Sequence, residues 1–179
     1  MRRRGGNGIW IETGTFLGDT TLFLSTFGSK VITLEPDSKL FQAARDRFQN
    51  NPSIVCIHGT SEGRLAGILN DLPAIELSNV SFWLDGHYSG GVTYKSDVDT
   101  PIVFELSCIE KLLDQCKLIS ILIDDVRCFN STSQEYSQYP DLKYLVAWSE
   151  KNNLFWTIEH DVFIISNASL DADNYAYDK

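Results

Sequence analysis

The glycines and acids near the start of the chain have a spacing that suits nucleoside binding. The stretch from Glu12 through Gly14 to Gly18 directly follows an apolar run. Two glycines four residues apart let the main chain turn tightly and approach a ligand that a side chain would exclude. Glu35 lies 21 residues after Gly14, at the end of the next apolar run, where a carboxylate can hold ribose hydroxyls. This pattern favours a nucleoside site, with a purely structural turn as the alternative.

Phe16 stands where the dinucleotide-binding fingerprint G-x-G-x-x-G has its middle glycine. A side chain at this position leaves less room for a pyrophosphate. The sequence therefore disfavours an NAD-dependent oxidoreductase, and a nucleoside-type ligand is the better prediction.

Acidic residues also end two later apolar runs. Asp85 ends one of them, and Asp124 and Asp125 end the next. Because the carboxyl ends of parallel strands meet at one edge of a sheet, at least two of these carboxylates are expected to converge. Like charges in such a cluster persist only with a cation, a proton or a positive substrate between them, and oxygen ligands favour Mg²⁺. In the alternative interpretation, one of Asp124 and Asp125 caps a turn and the other faces solvent.

Short apolar runs alternate along the chain with stretches of helical periodicity, which predicts βαβ units. The last two runs are separated only by His160 and Asp161, so they form an antiparallel hairpin. The expected fold is α/β: a doubly wound, Rossmann-like, mostly parallel seven-stranded sheet with one antiparallel strand from the C-terminal hairpin. Strands are expected at 8–13, 30–35, 53–58, 80–85, 118–125, 154–159 and 162–167, with helices near 19–27, from the Asp37 cap to 48, 61–70, 100–115 and 141–151.

Length and charge limit the classes of function. With 179 residues, 43% of them hydrophobic, the chain suits one domain over 1–179, with a loose basic start at 1–7 and a polar tail at 168–179. The formal charge of -9 is the wrong sign for binding nucleic acid. No apolar run approaches the roughly 20 residues of a membrane-spanning helix, and none follows the basic start as in a secretory signal. A cytoplasmic protein without a membrane segment is expected.

Four motifs together resemble the class I S-adenosylmethionine-dependent methyltransferases, and the resemblance extends from about residue 8 to 167. The E-x-G-x-x-x-G form, the D-G-x-x-S loop and the paired acids are most similar to the macrocin O-methyltransferase-like branch. The motifs are Glu12-Thr13-Gly14 through Gly18, Leu34-Glu35-Pro36-Asp37, His58-Gly59-Thr60-Ser61, and Leu84-Asp85-Gly86-His87-Tyr88-Ser89.

The resemblance implies a role for each matching residue. Glu35 would hold the ribose hydroxyls of S-adenosylmethionine, and Thr60 and Ser61 would lie near the adenine. Magnesium would be held by three acids, although His87 replaces the second acid of the branch's D-G-D motif. The residues implied around the methionine part are Glu12, Gly14, Thr15 and Gly18, and the implied metal ligands are Asp85, Asp124 and Asp125.

The expected reaction is methyl transfer to an oxygen, less readily a nitrogen, of a small-molecule acceptor. Asp85 or His87 would take the acceptor's proton, with Mg²⁺ lowering the pKa of the acceptor hydroxyl. A polar loop residue is the alternative reading of His87. A catalytically silent nucleoside- or nucleotide-binding module is the alternative function. Because members of this class usually carry covering helices ahead of the glycine motif, a partner subunit or a longer chain is expected to supply a lid. Oligomeric state is left open, a homo-oligomer included.

Overall fold

The computed structural model describes residues 5–86, 100–130 and 134–170. These residues form a seven-stranded sheet flanked by helices. The strands are β1 (Ile9–Thr13), β2 (Lys30–Glu35), β3 (Ile54–His58), β4 (Asn79–Leu84), β5 (Leu118–Ile123), β6 (Phe155–Glu159) and β7 (Val162–Ser166). The helices are α1 (Asp19–Leu24), α2 (Ser38–Phe48), α3 (Ser61–Asp71), α4 (Ala74–Leu77), α5 (Ile102–Glu110) and α6 (Leu142–Lys151).

The strand order is β3-β2-β1-β4-β5-β7-β6. Strands β1 to β5 pair in parallel, whereas β7 is antiparallel to both of its neighbours, β5 and β6. The predicted seven-stranded, mostly parallel sheet with one antiparallel strand is therefore confirmed. The order reverses between β1 and β4, and ligands of doubly wound sheets bind at such a switch point, beyond the carboxyl ends of the strands.

Four local features differ from the expectations. The predicted helix at 19–27 ends at Leu24. The predicted helix at 100–115 ends at Glu110 and is followed by a 3₁₀ turn at Leu113–Gln115. Strand β5 ends at Ile123 rather than 125, because Asp125 adopts a left-handed backbone with φ of 56°. The short helix α4 was not expected. No helix among the residues described above is long and apolar enough to cross a bilayer.

Two hydrophobic clusters cover the two faces of the sheet. Side chains of successive strand residues point to opposite faces, so along β1 Ile11 belongs to one cluster and Trp10 to the other. The Ile11 face is covered by α3, α5 and α6, whereas α1 and α2 supply side chains to the Trp10 face. The same alternation places Glu12 on the Trp10 face and Thr13 on the Ile11 face at the end of β1.

Candidate functional site

The main chain of the loop after β1 packs directly against the end of β4. Gly14 has a left-handed φ of 87°, and a Cβ atom there would lie 2.3 Å from the carbonyl oxygen of Asp85. The N–H groups of Gly14 and Thr15 both donate to the carbonyl oxygen of Leu34, at 3.0 and 3.1 Å. Position 14 therefore requires glycine both for its backbone conformation and for this close approach.

Phe16 adopts a left-handed backbone, with φ of 48°, at the position where the dinucleotide fingerprint has glycine. This conformation costs a non-glycine residue on the order of 1–2 kcal/mol. The Phe16 N–H donates to Glu35 Oε2 at 2.8 Å, and this charge-assisted hydrogen bond offsets the strain. Phe16 is 47% exposed.

Glu35 ties the glycine loop to the start of α2. Its Oε2 accepts the Phe16 N–H, and its Oε1 accepts the Asp37 N–H at 2.9 Å. The side chain is buried, and this burial raises the pKa of the carboxyl although both N–H groups lower it. Each carboxylate oxygen keeps a second lone pair, so Glu35 can still accept two further donors. Two ribose hydroxyls are donors of that kind.

Glu12 and Thr15 lie beneath the loop in a chain of hydrogen bonds. The hydroxyls of Thr21 and Thr33 donate to Glu12 Oε2 at 2.5 and 2.6 Å. Because Thr33 uses its only O–H on Glu12, Thr15 must donate in the 2.5 Å contact between the Thr15 and Thr33 hydroxyls. Glu12 Oε1 has no hydrogen-bond partner within the part of the chain that the structure describes, and burial raises the pKa of this carboxyl to about 7. The contact of Glu12 and Thr15 with methionine stays a prediction.

Gly18, Thr60 and Ser61 have local structural roles that the motif reasoning did not specify. A Cβ atom at Gly18 would lie 2.7 Å from the ring of Phe48, so the loop and α2 pack closely there. Thr60 caps α3 by accepting the Gly63 N–H at 3.2 Å, and Ser61 is buried. Their proposed places around methionine and adenine stay predictions.

The carboxyl of Asp85 lies within electrostatic range of Asp124 and Asp125, since the charges of both residues raise its pKa. Asp85 follows β4, and its N–H donates to the Thr13 carbonyl oxygen at 3.1 Å. Burial, and after it the charges of Asp124, Asp125 and Glu12, raise the pKa of Asp85 to about 8. A carboxyl with a pKa near neutrality can exchange protons at physiological pH.

Asp124 and Asp125 then diverge, which removes support for the magnesium prediction. Asp124 Oδ1 accepts the Asp125 N–H at 2.9 Å, and Asp125 Oδ1 lies 2.5 Å from Arg127 Nη1. Arg127 also pairs with Asp161. Within residues 5–86, 100–130 and 134–170, no three His, Cys, Asp or Glu side chains are arranged to hold a metal ion. The described acids do not fit Mg²⁺, because the Arg127 guanidinium already neutralises Asp125, one of the three proposed ligands. The reaction proposed below therefore has no metal-dependent step.

His87 lies outside the described residues.

Glu105 is a further acid at this edge that the motif reasoning did not find. It lies in the first turn of α5 and is 1% exposed. Burial raises the pKa of Glu105 to about 7, although the Ser61 and Thr13 hydroxyls lower it. Among residues 5–86, 100–130 and 134–170, its Oε1 has no hydrogen-bond partner. The available signal was helical spacing, since Glu105 follows Ile102 by three residues and precedes Ile109 by four, which places a carboxyl on an apolar face.

Three raised pKa values predict that the folded state loses stability as pH rises. Glu12 and Glu105 have ordinary pKa values of 4.5 that folding raises to about 7, and Asp85 rises from 3.8 to about 8. The folded state binds these protons more tightly than the unfolded state, so the stabilisation is fully present at pH values below the ordinary pKa values and is lost as pH rises through the folded pKa values. We expect the free energy of unfolding in urea to fall from about pH 5 to about pH 8.5, by on the order of 3 kcal/mol for each fully buried Glu. Glu105→Gln should flatten this curve, and a wild-type curve that rises across the interval would contradict the assignment.

Similarity to known proteins lies at the level of structure. No protein-family model and no curated protein matches the sequence. Aeropyrum pernix fibrillarin with natively bound S-adenosyl-L-methionine matches with a TM-score of 0.53 and 11% identity, over 90% of this chain and 66% of that chain. A Streptococcus mutans protein in complex with SAH matches with a TM-score of 0.51 and 17% identity, over 90% and 88% of the two chains.

A SAM-dependent methyltransferase from Aquifex aeolicus matches with a TM-score of 0.52 and 11% identity, over 91% of this chain and 82% of that chain. The branch with macrocin O-methyltransferases is not confirmed by these comparisons. The strand order, the antiparallel β7 and the structural neighbours agree that this chain has the class I fold of S-adenosylmethionine-dependent methyltransferases.

Proposed function

We propose that this protein is an S-adenosylmethionine-dependent methyltransferase that acts on a small molecule. The observation that carries the proposal is the juxtaposition of Gly14 and Glu35 at the ends of adjacent strands. Gly14 has no side chain, so a ligand can approach its main chain. Glu35 is a buried carboxylate whose oxygens can each accept one further hydrogen bond. The two groups suit the amino-acid and ribose ends of one ligand.

Bound S-adenosylmethionine would supply a methyl group on a positively charged sulfur. The chain's own residues would hold this ligand and align it with an acceptor, which accounts for most of the acceleration in such a displacement. Burial raises the pKa values of Glu12, Asp85 and Glu35 at this edge, and a cationic ligand bound there would favour their ionised forms.

We also propose that the acceptor atom is an oxygen, as in the macrocin O-methyltransferase-like branch that the motifs resemble. A hydroxyl must lose its proton as it is methylated, whereas a neutral amine can react before it loses one. Asp85, whose pKa lies at about 8, is suited to accept a proton at the end of β4. His87 keeps its predicted role as an alternative base.

A silent nucleoside-binding module is the competing function, and two measurements separate it from an enzyme. Calorimetric titration with S-adenosylmethionine, S-adenosylhomocysteine and NAD should show binding of the first two ligands only. Incubation with methyl-labelled S-adenosylmethionine and a phenol, an alcohol or an amine without a hydroxyl group (catechol, glycerol or ethylamine) should release S-adenosylhomocysteine with an oxygen acceptor.

The outcomes of these measurements test separately the methyl-donor site, the acceptor atom and catalysis. Binding of NAD alone would refute the methyl-donor site. Binding of S-adenosylmethionine with methyl transfer only to ethylamine would refute the oxygen acceptor. Binding with no transfer to any member of a wide acceptor panel would favour the silent module. In an active enzyme, Asp85→Asn should slow transfer while the affinity for S-adenosylhomocysteine stays within a few-fold.

A further inference from the structure

His58 lies at the end of β3, directly beside the residue proposed to hold the ribose. In the parallel pairing of β2 and β3, His58 is the register partner of Glu35. The Gly59 N–H donates to the carbonyl oxygen of Glu35 at 3.0 Å, and Arg64 Nε donates to the carbonyl oxygen of His58 at 3.1 Å. These contacts fix the main chain of His58 against β2 and α3, so its imidazole extends from a rigid strand end.

The imidazole ring of His58 contacts the β2–α2 turn and the start of α2. Its Nε2 lies 3.1 Å from the carbonyl oxygen of Pro36, and because a carbonyl only accepts hydrogen bonds, Nε2–H is the donor. One face of the ring stacks on Phe41, with the ring centroids 4.9 Å apart and the planes at 25°. The stack favours one orientation of the ring, and in this orientation the donor points at Pro36.

One peptide group connects His58 to the Glu35 carboxylate. The carbonyl group of Pro36, which accepts His58 Nε2–H, shares a peptide bond with the nitrogen of Asp37. The N–H of that same peptide bond donates to Glu35 Oε1 at 2.9 Å. A peptide group is planar, so the directions of its C=O and N–H are fixed relative to each other. By orienting the Pro36 carbonyl, His58 also orients the N–H that holds Glu35 Oε1.

The charge of His58 acts on the same carboxyl. Burial raises the pKa of Glu35, whereas the charge of His58 is among the influences that lower it. A lower pKa favours the carboxylate, which accepts hydrogen bonds on both oxygens. The imidazole therefore supports both the orientation and the charge of the group that would hold the ribose hydroxyls.

We propose that His58 is a positioning residue of the nucleoside site, which acts on the ribose hydroxyls through the Pro36–Asp37 peptide group and the Glu35 carboxylate. This inference rests on the proposed function and deepens it, because it assigns ribose recognition to a second residue. His58 acts through other groups and need not touch the ligand. Its substitution should therefore weaken the recognition of ribose hydroxyls and leave the binding of the rest of the nucleoside unchanged.

A comparison of two nucleosides tests this role on the 179-residue protein. Adenosine carries both ribose hydroxyls and 2′,3′-dideoxyadenosine lacks both, so the ratio of their dissociation constants measures hydroxyl recognition. NMR titration gives both constants, even for weak binding. We expect the wild type to prefer adenosine by roughly 10- to 100-fold. His58→Phe keeps an aromatic ring against Phe41 but has no donor, and it should reduce this preference by about 3- to 10-fold.

Two further variants separate positioning from general damage to the fold. His58→Gln replaces the ring donor with an amide N–H of similar reach, so it should restore at least part of the preference for adenosine. When Glu35→Gln is already present, adding His58→Phe should not reduce the preference further, because the carboxylate that His58 positions is gone. His58 is exposed, so these variants should fold, which urea unfolding checks. His58→Ala, which also lacks the donor, replaces His58→Phe if that variant does not fold.

His160→Asn is the matched control. His160 follows β6, at the opposite end of the strand order from β3, and its φ of 55° is one that asparagine tolerates. This variant removes an imidazole far from Glu35, so both dissociation constants should equal those of the wild type.

Three results would overturn the role of His58. They are an unchanged preference for adenosine in His58→Phe, an equal loss of affinity for both nucleosides, and a failure of His58→Gln to restore any preference. Equal binding of the two nucleosides by the wild type would overturn both this inference and the ribose role of Glu35. Failure of the proposed function would appear separately, as wild-type protein that does not bind S-adenosylhomocysteine in calorimetry.

Discussion

Gly14→Ala is expected to abolish measurable binding of S-adenosylhomocysteine, with an affinity loss of about 100-fold or more. The new Cβ atom would meet the Asp85 carbonyl oxygen at 2.3 Å, and that oxygen belongs to main chain that cannot rotate away. The left-handed φ of 87° adds roughly 1–2 kcal/mol of strain in alanine. Both effects displace the loop from the end of β4. Calorimetric titration measures the affinity, and urea unfolding measures the accompanying loss of stability.

Gly67→Ala provides the matched control for this substitution. Gly67 lies inside α3, and a Cβ atom there would meet nothing within 4 Å. Alanine in a helix interior is favoured over glycine by about 1 kcal/mol, so this variant should be at least as stable as the wild type and bind the ligand equally well. Unchanged affinity in Gly14→Ala would show that the loop does not approach the ligand as proposed.

Glu35→Gln is expected to weaken binding of S-adenosylhomocysteine by roughly 10- to 100-fold, equivalent to about 1–3 kcal/mol. The carboxylate accepts N–H groups from Phe16 and Asp37 on separate oxygens. A glutamine offers one oxygen and one NH₂ group, so one of these N–H donors would face another donor. The loop and the ribose site would therefore be disturbed together.

Glu150→Gln, on the exposed side of α6, makes the same chemical change away from the site. We expect it to leave both the affinity and the unfolding midpoint within experimental error of the wild type. Equal affinities in the two glutamine variants would exclude Glu35 as a ligand-holding residue.

The sheet could be predicted from the sequence because its strands carry local signals. Each strand is a short apolar run, and β6 and β7 are separated by only His160 and Asp161, which forces the antiparallel pairing. The glycines at positions 14 and 18 also report directly on backbone shape, and both have left-handed φ values in the structure. Residue types and their spacing along the chain were therefore sufficient to predict the strands, the hairpin and the left-handed glycines.

The acid cluster was harder to predict because it depends on side-chain direction and on distant partners. Asp124 and Asp125 are adjacent in sequence, yet Asp125, which has a left-handed backbone, pairs with Arg127 while Asp124 Oδ1 accepts the Asp125 N–H. Glu105 was missed because α5 follows a segment without motifs, and only the folded sheet brings its carboxyl beside Thr13 and Ser61. Such contacts join residues far apart in the chain, which residue types and spacing do not report.

The most direct test of the central claim is a crystal structure of this protein grown with S-adenosylhomocysteine. The account predicts electron density beyond the ends of β1 and β2, with the ribose hydroxyls at Glu35 and the amino-acid end against Gly14. An empty site at a saturating ligand concentration, or a ligand bound away from these two residues, would contradict it.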